Sequence, residues 1–290
     1  MNRKFLVVML FMTTSILYSF EEGFIWGLRA NFNGSLTLPS ISQEDLDKLS
    51  AAYMKGAVGY TMDGEAELGY LFGAERWFGK EKSDFSKFSG ISLYVSIGVG
   101  TGFSGMVAGN TLKADSNSAP ISAQMFMNVN YKPVISFGIG SKLYLFESRM
   151  AIGLQLGGKV IADTSPEYLA YSDSDSTFAS LTPPVKLPEM GELIVTDFMK
   201  KNMNPVMFSI KLMLEYNQPI NDRVEVVLGI YTRFNIYKPK YITMPDSLLG
   251  LINAAKKTQN AAEFNPQTPL NSYYINSLDF GVTLGLQFRG

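Results

Sequence analysis

From Phe24 to Leu38 apolar and polar residues take turns. Even positions read Phe24, Trp26, Leu28, Ala30, Phe32, Gly34 and Leu36, and odd ones Gly27, Arg29, Asn31, Asn33, Ser35 and Thr37. Side chains leave a strand on opposite faces in turn, so this period of two predicts a strand with one apolar and one polar face. Ala57 to Phe72 repeats it, with Val58, Tyr60, Met62, Ala66, Leu68 and Tyr70 against Gly59, Thr61, Asp63, Glu65, Glu67 and Gly69. Ile91 to Ser104 follows, and Ile121 to Leu145 holds its apolar residues on odd positions across Pro133. Met150 to Val160, Val206 to Tyr216, Val224 to Ile236 and Leu278 to Phe288 hold theirs on even positions. The runs are longer than the ~5–6 residues usual in soluble sheets. They are long enough for the ~9–11 residues that cross a bilayer at a tilt. The expected fold is therefore all-β: an antiparallel up-and-down transmembrane β-barrel with short helices in its outer loops.

Strand count follows from the connections. Tight ones fall at Glu147-Ser148-Arg149 and Asn217 to Asp222, and long ones at 39–56, 164–204 and 237–273. Short turns belong on the periplasmic side and long loops outside, with an even number of strands. Reading 120–146 as one strand, with Pro133 at a bulge or bend, keeps inward and outward parity and gives eight strands. Its first half is then expected above the membrane, paired with residues 103–109. Ten strands, using part of 164–204, is the alternative.

The N-terminus changes the setting. Asn2-Arg3-Lys4 precedes an apolar run from Phe5 to Met12 and a more polar stretch to Ser19. This is the layout of a secretory signal peptide, expected over residues 1–19, which leaves 20–290 as the barrel domain. Of the 290 residues none is Cys and none is His. Disulfides, zinc fingers, iron–sulfur clusters and histidine-based catalysis are thereby excluded. Lys and Arg number 25 against 26 Asp and Glu, so there is no basic footprint for nucleic acid. Trp26, Trp77, Phe78, Tyr216 and Phe288 fall where a periplasmic aromatic belt is expected.

On the polar faces the charges gather. Arg29, Lys142, Lys159, Lys211 and Arg233 point inward with Asp63, Glu65, Glu67, Glu215, Glu225 and Asp279. Opposite charges in a narrow lumen are expected to pair across it, and an eight-stranded interior holds little more than side chains or one small ligand. Asp63, Glu65 and Glu67 at two-residue spacing read as ion-pair partners rather than a metal or acid–base site; no metal, cofactor or catalytic group is expected. Glycines on inward faces (Gly98, Gly100, Gly102, Gly138, Gly140, Gly281, Gly285) offer a narrow conduit as the competing reading. In the loops, Ser42 caps an expected helix with Leu46, Leu49 and Tyr53 on one face. Asp246 to Lys257 repeats the pattern with Leu248, Leu249, Leu251 and Ile252, and Glu192 to Lys201 is a third candidate. These apolar faces either pack the loops over the mouth or form a vestibule for a hydrophobic ligand.

With its export signal, its alternating strands and the closing strand L-D-F-G-V-T-L-G-L-Q-F-R-G, the chain resembles spirochaete outer-membrane barrels. More loosely it is similar to the eight-stranded outer-membrane protein W family. The closing strand also resembles the signal read by the barrel-insertion machinery, except that Arg289 and Gly290 follow its aromatic Phe288. The family resemblance implies a cell outer-membrane location, lipid contact, and passage or binding of small, hydrophobic molecules through a vestibule. Loops longer than that family's norm favour the alternative, a structural or adhesive surface protein that meets a host or surface partner. Barrel enzymes of similar architecture depend on a catalytic His, so this chain is not expected to be one.

Overall fold

The computed structural model describes residues 22–48, 53–74, 88–112, 121–161, 164–172, 206–238 and 274–290, with backbone alone at 47–48, 107–112, 121–132 and 164–172. The signal segment, Trp77, Phe78 and the helices expected at 192–201 and 246–257 lie outside the described residues. So do Leu49, Leu248, Leu249, Leu251 and Ile252.

Among the described residues ten strands form one antiparallel sheet: β1 Gly23–Ser40, β2 Tyr53–Gly56, β3 Val58–Gly73, β4 Phe88–Leu112, β5 Ile121–Leu145, β6 Met150–Ile161, β7 Thr164–Ser172, β8 Val206–Asn221, β9 Val224–Ile236 and β10 Tyr274–Arg289. Eight of them close a ring in the order β1-β3-β4-β5-β6-β8-β9-β10, with β10 returning to β1 from Ile25↔Arg289 to Ser40↔Tyr274. The two remaining strands stay outside the ring. β2 pairs with β4 from Tyr53↔Gly109 to Gly56↔Met106, and β7 pairs with β5 from Ala123↔Ser172 to Tyr131↔Thr164. Part of 164–204 is thus a strand, but it adds no stave to the barrel.

β4 and β5 outrun their neighbours. β3 leaves β4 at Tyr60↔Phe103 and β6 leaves β5 at Ile161↔Val134, while the β4–β5 ladder continues to Leu112↔Ile121. The hairpin therefore stands beyond the barrel rim with β2 on one flank and β7 on the other. Pro133 sits where the register slips. Gly100 pairs with Val134 but Gly102 pairs with Tyr131, so β5 carries one extra residue there. A proline that cannot donate to the ladder is tolerated at such a bulge. The sequence expectation of unbroken parity through residues 120–146 is corrected by that slip, because pairing passes from even-with-even to even-with-odd.

Two tight turns lie at the opposite end. The tight connection expected at Asn217 to Asp222 is shorter still: β8 runs through Asn221, and Asp222-Arg223 alone make the turn. Asn221 Oδ1 accepts the Arg223 amide at 2.9 Å, the local bond that lets Asn nucleate a turn. Between β5 and β6, Phe146, Glu147 and Ser148 all have φ between 53° and 61°. Left-handed backbone costs an L-residue about 1–2 kcal/mol, and neighbouring strands hold it in place. Ser89 Oγ accepts the Ser148 amide at 2.8 Å, and Asn217 Nδ2 donates to the Ser148 carbonyl at 3.0 Å.

The wall is inside-out relative to a soluble protein. Ile97 and Ile139 are each 63% exposed and Phe280 61%, while Arg29, Lys142 and Glu215 are 4% or less. An apolar belt around a charged interior suits hydrocarbon, not water. Rings mark its turn end: Trp26 stacks on Phe288 at 3.9 Å and 9°, and Phe24 meets Tyr70 edge-on at 5.2 Å. Among the described residues no helix is long and apolar enough to cross a membrane. Crossing falls to the strands.

Candidate functional site

The lumen is built by the polar parity of eight strands. Arg29, Glu65, Glu67, Lys142, Lys159, Lys211, Glu215, Glu225, Arg233 and Asp279 are buried in it, and Asp63 is partly buried. Their pairing crosses the barrel. At mid-height Arg29 of β1 and Lys142 of β5 share two carboxylates, Glu67 of β3 and Glu215 of β8. Lys142 Nζ lies 2.7 Å from Glu67 and 3.1 Å from Glu215, and Arg29 lies 3.1 Å and 3.5 Å from the same two groups. One step toward the loop end, Lys211 of β8 reaches Glu65 of β3 at 2.9 Å, and Arg233 of β9 reaches Asp63 of β3 at 3.2 Å. Lys159 of β6 stands 3.5 Å from Asp279 of β10.

Near the turn end Glu225 takes its cation from Arg289, at 3.0 Å. In sequence Arg289 looks like an appendage behind the closing aromatic. Ile25↔Arg289 pairing instead continues β10 to that residue, and it turns its guanidinium inward over Tyr144, 5.8 Å from the ring centroid. Among the described residues the lumenal set is therefore six cations against six anions. Each cation has a carboxylate within 4 Å, which a buried charge requires.

Neutral groups add further hydrogen bonds to the carboxylates. Glu65 also accepts Gln155 Nε2 at 2.8 Å and Asn31 Nδ2 at 3.0 Å, and Asp279 accepts Ser35 Oγ and Asn235 Nδ2, both at 2.7 Å. Three inward tyrosines occupy the space beside the charges. Lys142 Nζ lies 4.9 Å from the centroid of Tyr94, and Lys211 Nζ 4.8 Å from that of Tyr231. Here the inward glycines find their use. A Cβ at Gly140 would run into the Tyr94 ring, and one at Gly281 into the Tyr231 ring. Gly138 makes room for Gln155 and Gly285 for Arg29 in the same way. These four glycines admit large neighbouring side chains into the lumen, while Gly100 borders a small cavity toward the loop end.

Above the ion pairs lies a cavity of about 40 Å³, floored by Asp63, Lys159 and Asp279 and flanked by Phe103, Met207 and Ile275. That is space for ordered water in a polar setting, since one molecule needs roughly 10–15 Å³. Over it Met106 packs with Ile41, Met54 and Ile275. Toward the turn end Ile25, Leu71, Tyr144 and Ala151 form a second buried apolar cluster.

Of the loop residues singled out in sequence, Leu46 and Tyr53 are described. Leu46 is buried on the helix Gln43–Lys48, where Ser42 Oγ accepts the Asp45 amide at 3.2 Å as an N-cap. Tyr53 is not on that helix. It opens β2, because the chain there is captured by the protruding edge of β4. No group of metal-ligating side chains occurs among the described residues.

No protein-family model and no curated protein sequence matches this chain. Solved structures similar to it include the outer membrane protein OprG from Pseudomonas aeruginosa, at 7% identity and a TM-score of 0.30, covering 94% of this chain and 100% of that one. Neisserial surface protein A is similar at 7% identity and a TM-score of 0.28, over 91% of this chain and 97% of its own. The attachment invasion locus protein of Yersinia pestis is similar at 8% identity and a TM-score of 0.26, over 91% and 99%.

Proposed function

We propose that this protein is an outer-membrane barrel that works at its outer surface, as a closed anchor presenting an extracellular sheet and loops to a host or surface partner. The observation that carries this reading is a lumen filled by paired side chains. Six cations and six anions tie opposite walls together, with apolar clusters toward both ends. In such barrels the tight turns face the periplasm and the long connections face outward. The β4–β5 hairpin, flanked by β2 and β7, then projects away from the cell. A rigid sheet carrying long connections is a common platform for contact residues. This reading assigns the barrel no catalysis and places small-molecule passage second.

Two measurements test it. Purified protein in planar bilayers is expected to stay electrically silent; discrete conductance steps would favour the channel instead. Deleting residues 165–189, which takes away most of β7, is expected to leave a barrel that still migrates as a folded species without boiling. The same variant is expected to lose binding to immobilised extracellular-matrix proteins, and retained binding would count against the outer extension as the contact surface.

A further inference from the structure

Register in an antiparallel sheet is set by turn geometry and by which face is buried. The hairpins β5–β6 and β8–β9 have tight turns to fix theirs, at 146–149 and Asp222-Arg223. β3 has none. It is reached from β1 through residues 41–57 and left for β4 through 74–87, both long enough to absorb a slip of two residues. Its outward face cannot resist such a slip either. Val58, Tyr60, Met62, Gly64, Ala66 and Leu68 are all apolar or small, and a two-residue shift leaves every one of them facing lipid.

We infer that the acidic row Asp63, Glu65 and Glu67 sets the register of β3 when the barrel closes. Each carboxylate is met from different strands: Asp63 by Arg233 of β9, Glu65 by Lys211 of β8, and Glu67 by Arg29 of β1 and Lys142 of β5. In the ring of eight, β8 stands diametrically opposite β3. The row therefore reads, in β8 and β9, strands that follow it by more than a hundred residues. A slip in one direction places Thr61 before Arg233, and a slip in the other places Gly69 before Arg29 and Lys142. Either way a buried cation loses a carboxylate, the costly event in a low-dielectric interior.

The chain has no cysteine, so engineered pairs report register directly. In the native ladder Leu28 faces Ala66, and a two-residue slip brings Gly64 or Leu68 opposite it. Cysteine pairs 28/64, 28/66 and 28/68 are oxidised in membranes, and links are scored on all membrane-integrated chain so that misregistered material counts. With the native row, 28/66 is expected to link and the others to stay at background. With Asp63→Asn, Glu65→Gln and Glu67→Gln together, links at 28/64 and 28/68 are expected to rise at least tenfold. Glu65→Lys alone is expected to scramble the links, and adding Lys211→Glu to restore 28/66. A neutral row that still links only at 28/66 overturns the inference. So does a Glu65→Lys chain with native links, or an exchange that fails to restore them.

Discussion

The two faces of the barrel wall share one backbone but differ in how much they specify. Outward, positions such as Leu93, Val95, Ile97 and Val99 are interchangeable members of a class, each more than half exposed. Any apolar side chain meets hydrocarbon there on similar terms. Inward, each charged group has an identified partner at a definite distance, often on a strand far away in sequence. A membrane removes the usual task of an interior, which is to hide apolar surface from water. The interior of this barrel is left to decide which strand meets which, and the exterior only where the molecule resides.

Four substitutions bear on that contrast. Lys142→Met is expected to have the largest effect, because Glu67 and Glu215 lose the nearer of the two cations they share and keep Arg29 alone. Breaking a buried pair costs about 3–5 kcal/mol, read as an earlier urea midpoint for loss of the unboiled folded band. If the loss were below 1 kcal/mol, the lumen would be as permissive as the lipid face. Next, Val282→Arg puts charge among outward residues and is expected to cost about 2–4 kcal/mol at mid-bilayer, measured by reversible folding in lipid vesicles. Third, Gly140→Val forces a side chain against Tyr94 and is expected to cost about 1–3 kcal/mol; an unchanged midpoint would show that the Tyr94 ring has room to move. Smallest, Phe288→Leu keeps the outward face apolar but removes the stack on Trp26. The expected loss is about 0.5–1.5 kcal/mol, with a shift in Trp fluorescence as its signature.

How much of this was legible in the sequence follows the same division. Alternation alone located the ring strands and their inward charges, because parity is a local property of successive residues. Partners were not legible, since Lys211 and Glu65 lie 146 positions apart and only closure brings them together. Arg289 escaped notice for a related reason. It follows the aromatic that ends the expected strand pattern, yet parity continued by one residue carries its side chain toward Glu225. Tyr144 and Tyr231 were hidden in the opposite way. Tyrosine reads equally well as an interface residue or an interior one, and only the space left by neighbouring glycines such as Gly281 tells them apart. Strand β7 shows the limit of counting: its residues are extended and paired, but their partner is the part of β5 that has already left the barrel.

Pro133 has a mechanical consequence. The hairpin above it is a lever of about eleven ladder rungs on each side, from Gly102↔Tyr131 to Leu112↔Ile121. At its base the ladder carries an extra residue and a proline without an amide hydrogen. A load applied to the outer sheet would concentrate at this weakest rung and spend itself in bending there. The bulge would then act as a fuse, sparing the ion-paired cylinder below from the forces of whatever the outer sheet holds.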